Sequence, residues 1–395
     1  MTARLVGLLF GLLSALAISG VADAADVRVV RATFESQFPQ SMTFTLDATA
    51  SRPIARATLS YRVAGKRTLV SGDAQMAQTG PTFRAQQAFD LSRDYLPPGT
   101  TLQYYWDLQD DQGARSRTET YQTTLEDKRF QWKQLKAQNL EIDWYTGDDT
   151  YGRSLLQVAG RALGQLANDL GVTLDRPTRI LVYGAQADFQ SASFHGGLEW
   201  VGGTYYPDEN VILVYAPTGQ QGVQIAQRAI PHELTHAVIH QVTDNPFGDI
   251  PQWMNEGLAS RSEGQMLPAS ADALTTAIAQ RKLISLRALS GAFPVDSDQA
   301  QLAYAESYSA VSFLLDRYGR ARVNQLLQTF REGVTYDDGL KRVLGLDQTQ
   351  LDQEWRGWLA PWPMMKATPF ADPPPPEPPS LLDSLLSWLR GALSR

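Results

Sequence analysis

Between residues 26 and 127 apolar and polar positions alternate. Met42, Phe44 and Leu46 are two apart, as are Ala57, Leu59, Tyr61 and Val63, and again Leu102, Tyr104, Trp106 and Leu108. A period of two places one set of side chains on one face of a strand. Turn signals fall between the runs: Gly72-Asp73, Pro97-Pro98-Gly99 and Asp110-Asp111-Gln112-Gly113. About seven short strands at this spacing predict an immunoglobulin- or fibronectin-like β-sandwich, over residues 25–127. Trp106 and the tyrosines of these runs read as core.

The pattern then changes. Residues 128–138 are polar and read as a short linking helix. Leu140, Ile142 and Trp144 predict a strand, and Leu155, Leu156, Ala159, Ala162, Leu163, Leu166, Ala167 and Leu170 recur at helical spacing. Residues 178–183 and 210–215 are near-continuous apolar runs, expected of interior strands. Helical periodicity returns over 272–282, 299–318, 321–332 and 348–359, with Gly319, Gly333 and Gly339 as punctuation and Trp355 and Trp358 as core. The chain therefore reads as multidomain. An all-β domain is followed by an α+β domain at 128–366 whose C-terminal half is helical.

The two ends differ from the body. Arg4, the apolar run from Leu5 to Ile18 and Ala22-Asp23-Ala24 have the order of a secretory signal peptide over residues 1–24. The alternative is an uncleaved anchor, although the run is short for a span of about 20 residues. Residues 367–379 form a stiff proline-rich linker. Beyond it, over 380–395, Leu381, Leu382, Leu385, Leu386, Trp388, Leu389 and Leu393 line an amphipathic helix. It suits contact with a membrane surface or a partner, or folding back on its own body. The mature protein is expected outside the cytoplasm, secreted or associated with the cell envelope.

Composition narrows the chemistry. The 395 residues carry a net charge of −7, which argues against a nucleic-acid partner. There is no cysteine, so disulfides and thiolate metal sites are excluded. Of only four histidines, two lie in His232-Glu233-Leu234-Thr235-His236, an H-E-x-x-H pattern. On a helix, positions i and i+4 share one face, so both imidazoles can converge on one Zn²⁺. Glu233 leaves the helix about 100° further round. It can reach a water on the metal as a general base without being a ligand. Catalytic zinc usually takes a third protein ligand. Pro251 marks a new helix start, and that helix, to about Ser262, would carry Glu256 back toward the first.

This segment, with Trp253-Met254-Asn255-Glu256-Gly257-Leu258-Ala259, resembles the glutamate-zincin (gluzincin) metallopeptidases. The match is to the W-L-N-E-G-F-A segment of the M1 aminopeptidases and to the smaller peptidase MA-like domains. The resemblance implies zinc held by His232, His236 and Glu256, with Glu233 as base and acid. It is specific here and looser over residues 130–360. Two departures stand out. The upstream G-x-M-E-N segment that grips a substrate amine in M1 aminopeptidases has only Gly196-Gly197-Leu198-Glu199-Trp200 as its counterpart. The spacing to the third ligand is also one residue longer than is usual there. Aminopeptidase specificity therefore does not carry over.

Other residues follow from the same resemblance. Ala303-Tyr304-Ala305-Glu306-Ser307-Tyr308-Ser309 resembles the helix that follows the site in peptidase MA-like domains. A phenol aimed at the tetrahedral oxyanion of peptide hydrolysis can stabilise it. Tyr304 and Tyr308 are the candidates, with Tyr308 ahead. The glycine- and aromatic-rich stretch 196–208 reads either as a substrate-aligning edge strand or as a surface loop. His195 and His240 read as structural, since His240 lies a further turn from His236 and cannot share an ion with His232. Asn255 is a candidate to orient a ligand. The expected activity is zinc-dependent hydrolysis of a peptide or protein substrate. The alternative is a catalytically silent zincin-like binding or scaffold protein of the cell envelope. The intact Glu233 favours the enzyme.

Overall fold

The computed structural model describes residues 25–193, 202–294 and 296–360. The expected signal segment, His195, the counterpart of the amine-gripping segment, the proline-rich linker and the C-terminal stripe lie outside the described residues.

Nine strands form the first part: β1 (Val27–Gln37), β2 (Ser41–Ala50), β3 (Ile54–Val63), β4 (Val70–Asp73), β5 (Gln75–Thr79), β6 (Thr82–Asp90), β7 (Thr101–Asp110), β8 (Arg115–Arg117) and β9 (Tyr121–Thr124). They make two antiparallel sheets, ordered β1-β2-β6-β5 and β4-β3-β7-β8, with β9 also on β7. The alternation read from the sequence is the burial pattern. Met42, Phe44 and Leu46 of one sheet and Leu59, Leu102 and Trp106 of the other are fully buried in one shared core. Period two does this without help, because each strand has one apolar face and the two faces meet.

A third sheet follows, built from β10 (Lys133–Ala137), β11 (Leu140–Trp144), β12 (Thr178–Tyr183), β13 (Gly203–Tyr206) and β14 (Val211–Tyr215), with helices α1 (Asp149–Leu170) and α2 (Gln186–Ala192) between strands. Its order is β10-β11-β12-β14-β13, with β11, β12 and β14 parallel and the two outer strands antiparallel. Of the three interior strands, β12 and β14 are the near-continuous apolar runs, whereas β11 alternates Leu140, Ile142 and Trp144 with Glu141 and Asp143. The linking helix expected over 128–138 is instead edge strand β10. Lys133, Gln134, Lys136 and Ala137 are exposed. An edge strand open on both sides has no apolar period to betray it.

The last part is helical: α3 (Gln220–Thr243), α4 (Gln252–Ser262), α5 (Pro268–Gln280), α6 (Ser297–Phe330), α7 (Tyr336–Leu344) and α8 (Gln348–Leu359). Gly319, at φ 78°, breaks α6 into the two helices that the periodicity predicts. Gly339 does not punctuate; it lies inside α7, where a Cβ would stand 2.5 Å from the Phe330 ring. Trp355 is fully buried and donates to Ser309 Oγ at 3.0 Å, while Trp358 is half-buried.

By compactness the described chain divides into two units. One runs to Arg153 and takes in Pro177–Val223, so the third sheet groups with the sandwich; Leu181, Tyr183, Val211 and Leu213 share its core. The other is Ser154–Arg176 with the chain from Gln224 onward. It contains α4 to α8 and most of α3. No helix among the described residues is long and apolar enough to cross a membrane.

Candidate active site

Helix α3 carries the first two site histidines. Ile230, Leu234, Ala237, Val238 and Ile239 are buried and fix the rotation of the helix. His232 and His236, one turn apart, are then left half-buried on a common face, with ring centroids 4.8 Å apart. Pro251 sits at the N-terminal boundary of α4, and Trp253, Met254, Leu258 and Ala259 are buried. Helix α4 packs tightly on α6. Gly257 makes that approach possible, because a Cβ there would stand 2.3 Å from the Ser307 carbonyl oxygen.

The consequence is the position of Glu256. Its Oε2 lies 3.5 Å from Nε2 of His232 and 3.5 Å from Nε2 of His236. Donors bound at about 2.0–2.1 Å around a tetrahedral zinc stand about 3.3–3.4 Å apart. Glu256 Oε2 is buried and has no hydrogen-bond partner among the described residues. An orphaned buried carboxylate oxygen costs free energy unless a cation or donor meets it. His232, His236 and Glu256 are also the one group among the described residues whose histidine and carboxylate donors cluster as a metal site requires. The donor set of two imidazoles and one carboxylate fits zinc.

The outer atoms of these residues are held as well. His232 Nδ1 meets Glu263 Oε1 at 2.8 Å, and His236 Nδ1 meets Asn255 Oδ1 at 2.9 Å. Both oxygens can only accept, so each Nδ1 carries the hydrogen and each Nε2 turns its lone pair inward. Glu263 is itself gripped by Arg228, one helical turn before His232, at 2.6 Å. The other oxygen of Glu256, Oε1, accepts from Gln252 Nε2 at 2.8 Å.

Charge follows geometry. Burial pushes the Glu256 carboxyl up, but the two imidazoles outweigh it and hold the group far below the usual carboxylate range. Burial pulls His232 down, yet Glu256 and Glu263 raise it well above the ordinary imidazole value; His236 is raised by Glu256 in the same way. Glu233 is buried on α3, and its charge is felt by both histidines and by Tyr304.

The two candidate tyrosines separate. The Tyr304 ring is 6.5 Å from the His232 ring and packs edge-on to Phe293 at 5.2 Å. Burial and the carboxylates of Glu256, Glu233 and Glu263 raise its phenol above the usual value, so it stays a hydrogen-bond donor. Tyr308, placed ahead from the sequence, donates instead to the Gly264 carbonyl at 3.3 Å. The residues are one turn apart on α6, and the Tyr304 end of that turn faces the histidines. His240 is not part of the cluster. The strand candidate over 196–208 forms β13 in its described portion, an edge of the third sheet. Glu263, Gln252 and Arg228 were missed from sequence. Gln252 stands one turn before Glu256, and Arg228 one turn before His232. These i, i+4 spacings were the available signal, and Glu263, seven residues past Glu256, falls on the same helix face two turns on.

Comparison with known proteins agrees with this geometry. The model of the Peptidase MA superfamily matches residues 158–361, just over half of the 395-residue chain, and the chain belongs to that superfamily. No curated protein matches it. Among solved structures it is similar to an aminopeptidase N family protein from Idiomarina loihiensis, at 9% identity and a TM-score of 0.40, covering 80% of this chain and 73% of that one. It is also similar to a family 56 carbohydrate-binding module, a β-1,3-glucan binding domain, at 13% identity and a TM-score of 0.17, covering 25% of this chain and 99% of that one. Likenesses this weak carry no part of the functional reading.

Proposed function

We propose that the protein is an exported zinc metallopeptidase that cleaves peptide bonds with Glu233 as general base. The observation that supports this most is the orphaned Oε2 of Glu256, 3.5 Å from each inward-facing Nε2. His232, His236 and Glu256 would hold the ion. When bound there, zinc supplies Lewis acidity, polarising a carbonyl and acidifying water toward neutral pH.

The remaining work falls to side chains of this chain. Glu233 takes a proton from the attacking water and passes it to the leaving amine. Tyr304 donates its phenolic hydrogen to the oxyanion as charge develops. Glu263 and Asn255 keep the two imidazoles turned inward, so the ligands need no reorganisation. Export is supported by the pattern of residues 1–24.

Glu233→Gln tests the reading. The variant keeps the shape and removes the base. Cleavage of a peptide library, read by mass spectrometry, should fall by about 10²–10⁴-fold, while zinc content and thermal stability stay as in the wild type. Undiminished cleavage by the purified variant would refute the role of Glu233. A wild type that cleaves nothing in a broad library would favour the binding protein instead.

A further inference from the structure

The site holds one polar contact that neither the motif nor the proposed chemistry explains. Gln252, the first residue of α4, reaches one turn along the helix and donates from Nε2 to Oε1 of Glu256 at 2.8 Å. Oε1 is thereby occupied, while Oε2 of the same carboxylate is buried and has no hydrogen-bond partner among the described residues. The two oxygens of one group are treated in opposite ways.

A free carboxylate can bind a cation through one oxygen or both. With one oxygen, two imidazoles and a carboxylate give three bonds and leave a tetrahedral position for the reacting groups. With both, the fourth position is filled by the protein itself. The side chain of Glu256 is otherwise able to turn about its last bond, a soft torsion. We infer that Gln252 is a positioning residue that reserves Oε2 of Glu256 for the metal and so keeps the fourth coordination position open. This rests on the metal-site reading above and deepens it.

The contact is built to do this. Glu256 is buried and Gln252 half-buried, so water competes for the bond only from the side of the amide. An amide donor is also neutral: it engages one oxygen without cancelling the charge that the cation needs. A lysine or arginine at this position would compete with the metal for the carboxylate.

The test uses Co²⁺ as a spectroscopic probe of the full-length protein. Wild type, Gln252→Met and Gln252→Ala are titrated with Co²⁺, following affinity and the visible d–d bands, with thermal unfolding of the metal-free forms alongside. Methionine keeps the length and removes the donor; alanine serves if methionine does not fold. Each variant should bind Co²⁺ about 10–100-fold more weakly, with bands weakened as coordination rises above four; metal-free stability falls modestly in step with the donor lost from Oε1. Wild-type affinity and spectrum in the variants would overturn the role of Gln252 and leave the metal site standing. Weaker binding with wild-type band positions and intensities would mean that coordination is unchanged, make the residue structural and overturn it too. A wild type that takes up no Co²⁺ would overturn both readings.

Discussion

Replacing Gly257 by alanine should damage the site without touching a ligand. An added Cβ would stand 2.3 Å from the Ser307 carbonyl oxygen, 2.6 Å from Val311 Cγ2 and 2.8 Å from the Ser307 carbonyl carbon. Two of these three atoms are α6 backbone and cannot swing away. Ordinary carbon–oxygen contact is roughly 1 Å longer than the first distance, so α4 must shift from α6 by about that much. Overpacking of this kind costs roughly 1–3 kcal/mol, which for a domain of about 150–250 residues lowers the melting temperature by about 2–4 °C per kcal/mol. Glu256 is the neighbouring residue, so its Oε2 would leave the position 3.5 Å from both imidazole nitrogens. A displacement near 1 Å at a reacting centre costs on the order of 10²-fold in rate. Thermal unfolding with and without zinc, together with a competitive zinc titration, would measure both effects. A Gly257→Ala protein that melts and binds zinc as the wild type does would refute the claim that this helix contact sets the third ligand.

Glu263→Gln should weaken zinc binding about 10–100-fold, because the charged partner of His232 Nδ1 is lost; isothermal titration would show it. Tyr304→Phe should lower the rate of peptide cleavage by roughly 10²–10³-fold at unchanged zinc content, whereas Tyr308→Phe should act mainly on stability. Both site histidines have raised proton affinity in the metal-free protein. Protons therefore compete with zinc through the neutral range, and apparent affinity should climb with pH; a pH-independent zinc titration would contradict this. Glu306 is fully buried and accepts from the Ile284 N–H at 3.1 Å on both oxygens; burial pushes it up to about 8 from a usual 4.5. The folded state then binds the extra proton between those values, so stability present below the lower one is lost as pH rises through the upper, by on the order of 5 kcal/mol. Denaturant unfolding of Glu306→Gln should show a flatter pH profile over that window.

Much of the fold was legible because period and burial coincide. Met42, Phe44 and Leu46 alternate in sequence and are buried together. Strands β12 and β14 announced themselves as apolar runs, and β11 by the spacing of Leu140, Ile142 and Trp144. Edge strand β10 did not, having little to bury. Helix α7 was hidden because Gly339 looked like a stop, whereas its missing Cβ makes room for the Phe330 ring. At the site, the clustering of His232, His236 and Glu256 was legible because the H-E-x-x-H spacing and a carboxylate on the next helix restrict residue type and position so tightly. The ranking of Tyr304 and Tyr308 was not, since two tyrosines one turn apart look alike until the partner of each hydroxyl is known. The grip of Glu263 on His232 depends on how α4 ends against α3, which no local pattern records.

Crystals of the protein grown with zinc and measured at the zinc absorption edge bear most directly on the central claim. The account predicts one anomalous peak at about 2.0–2.1 Å from Nε2 of His232, Nε2 of His236 and Oε2 of Glu256. An empty map at that point, or an ion held there without Glu256, would contradict it.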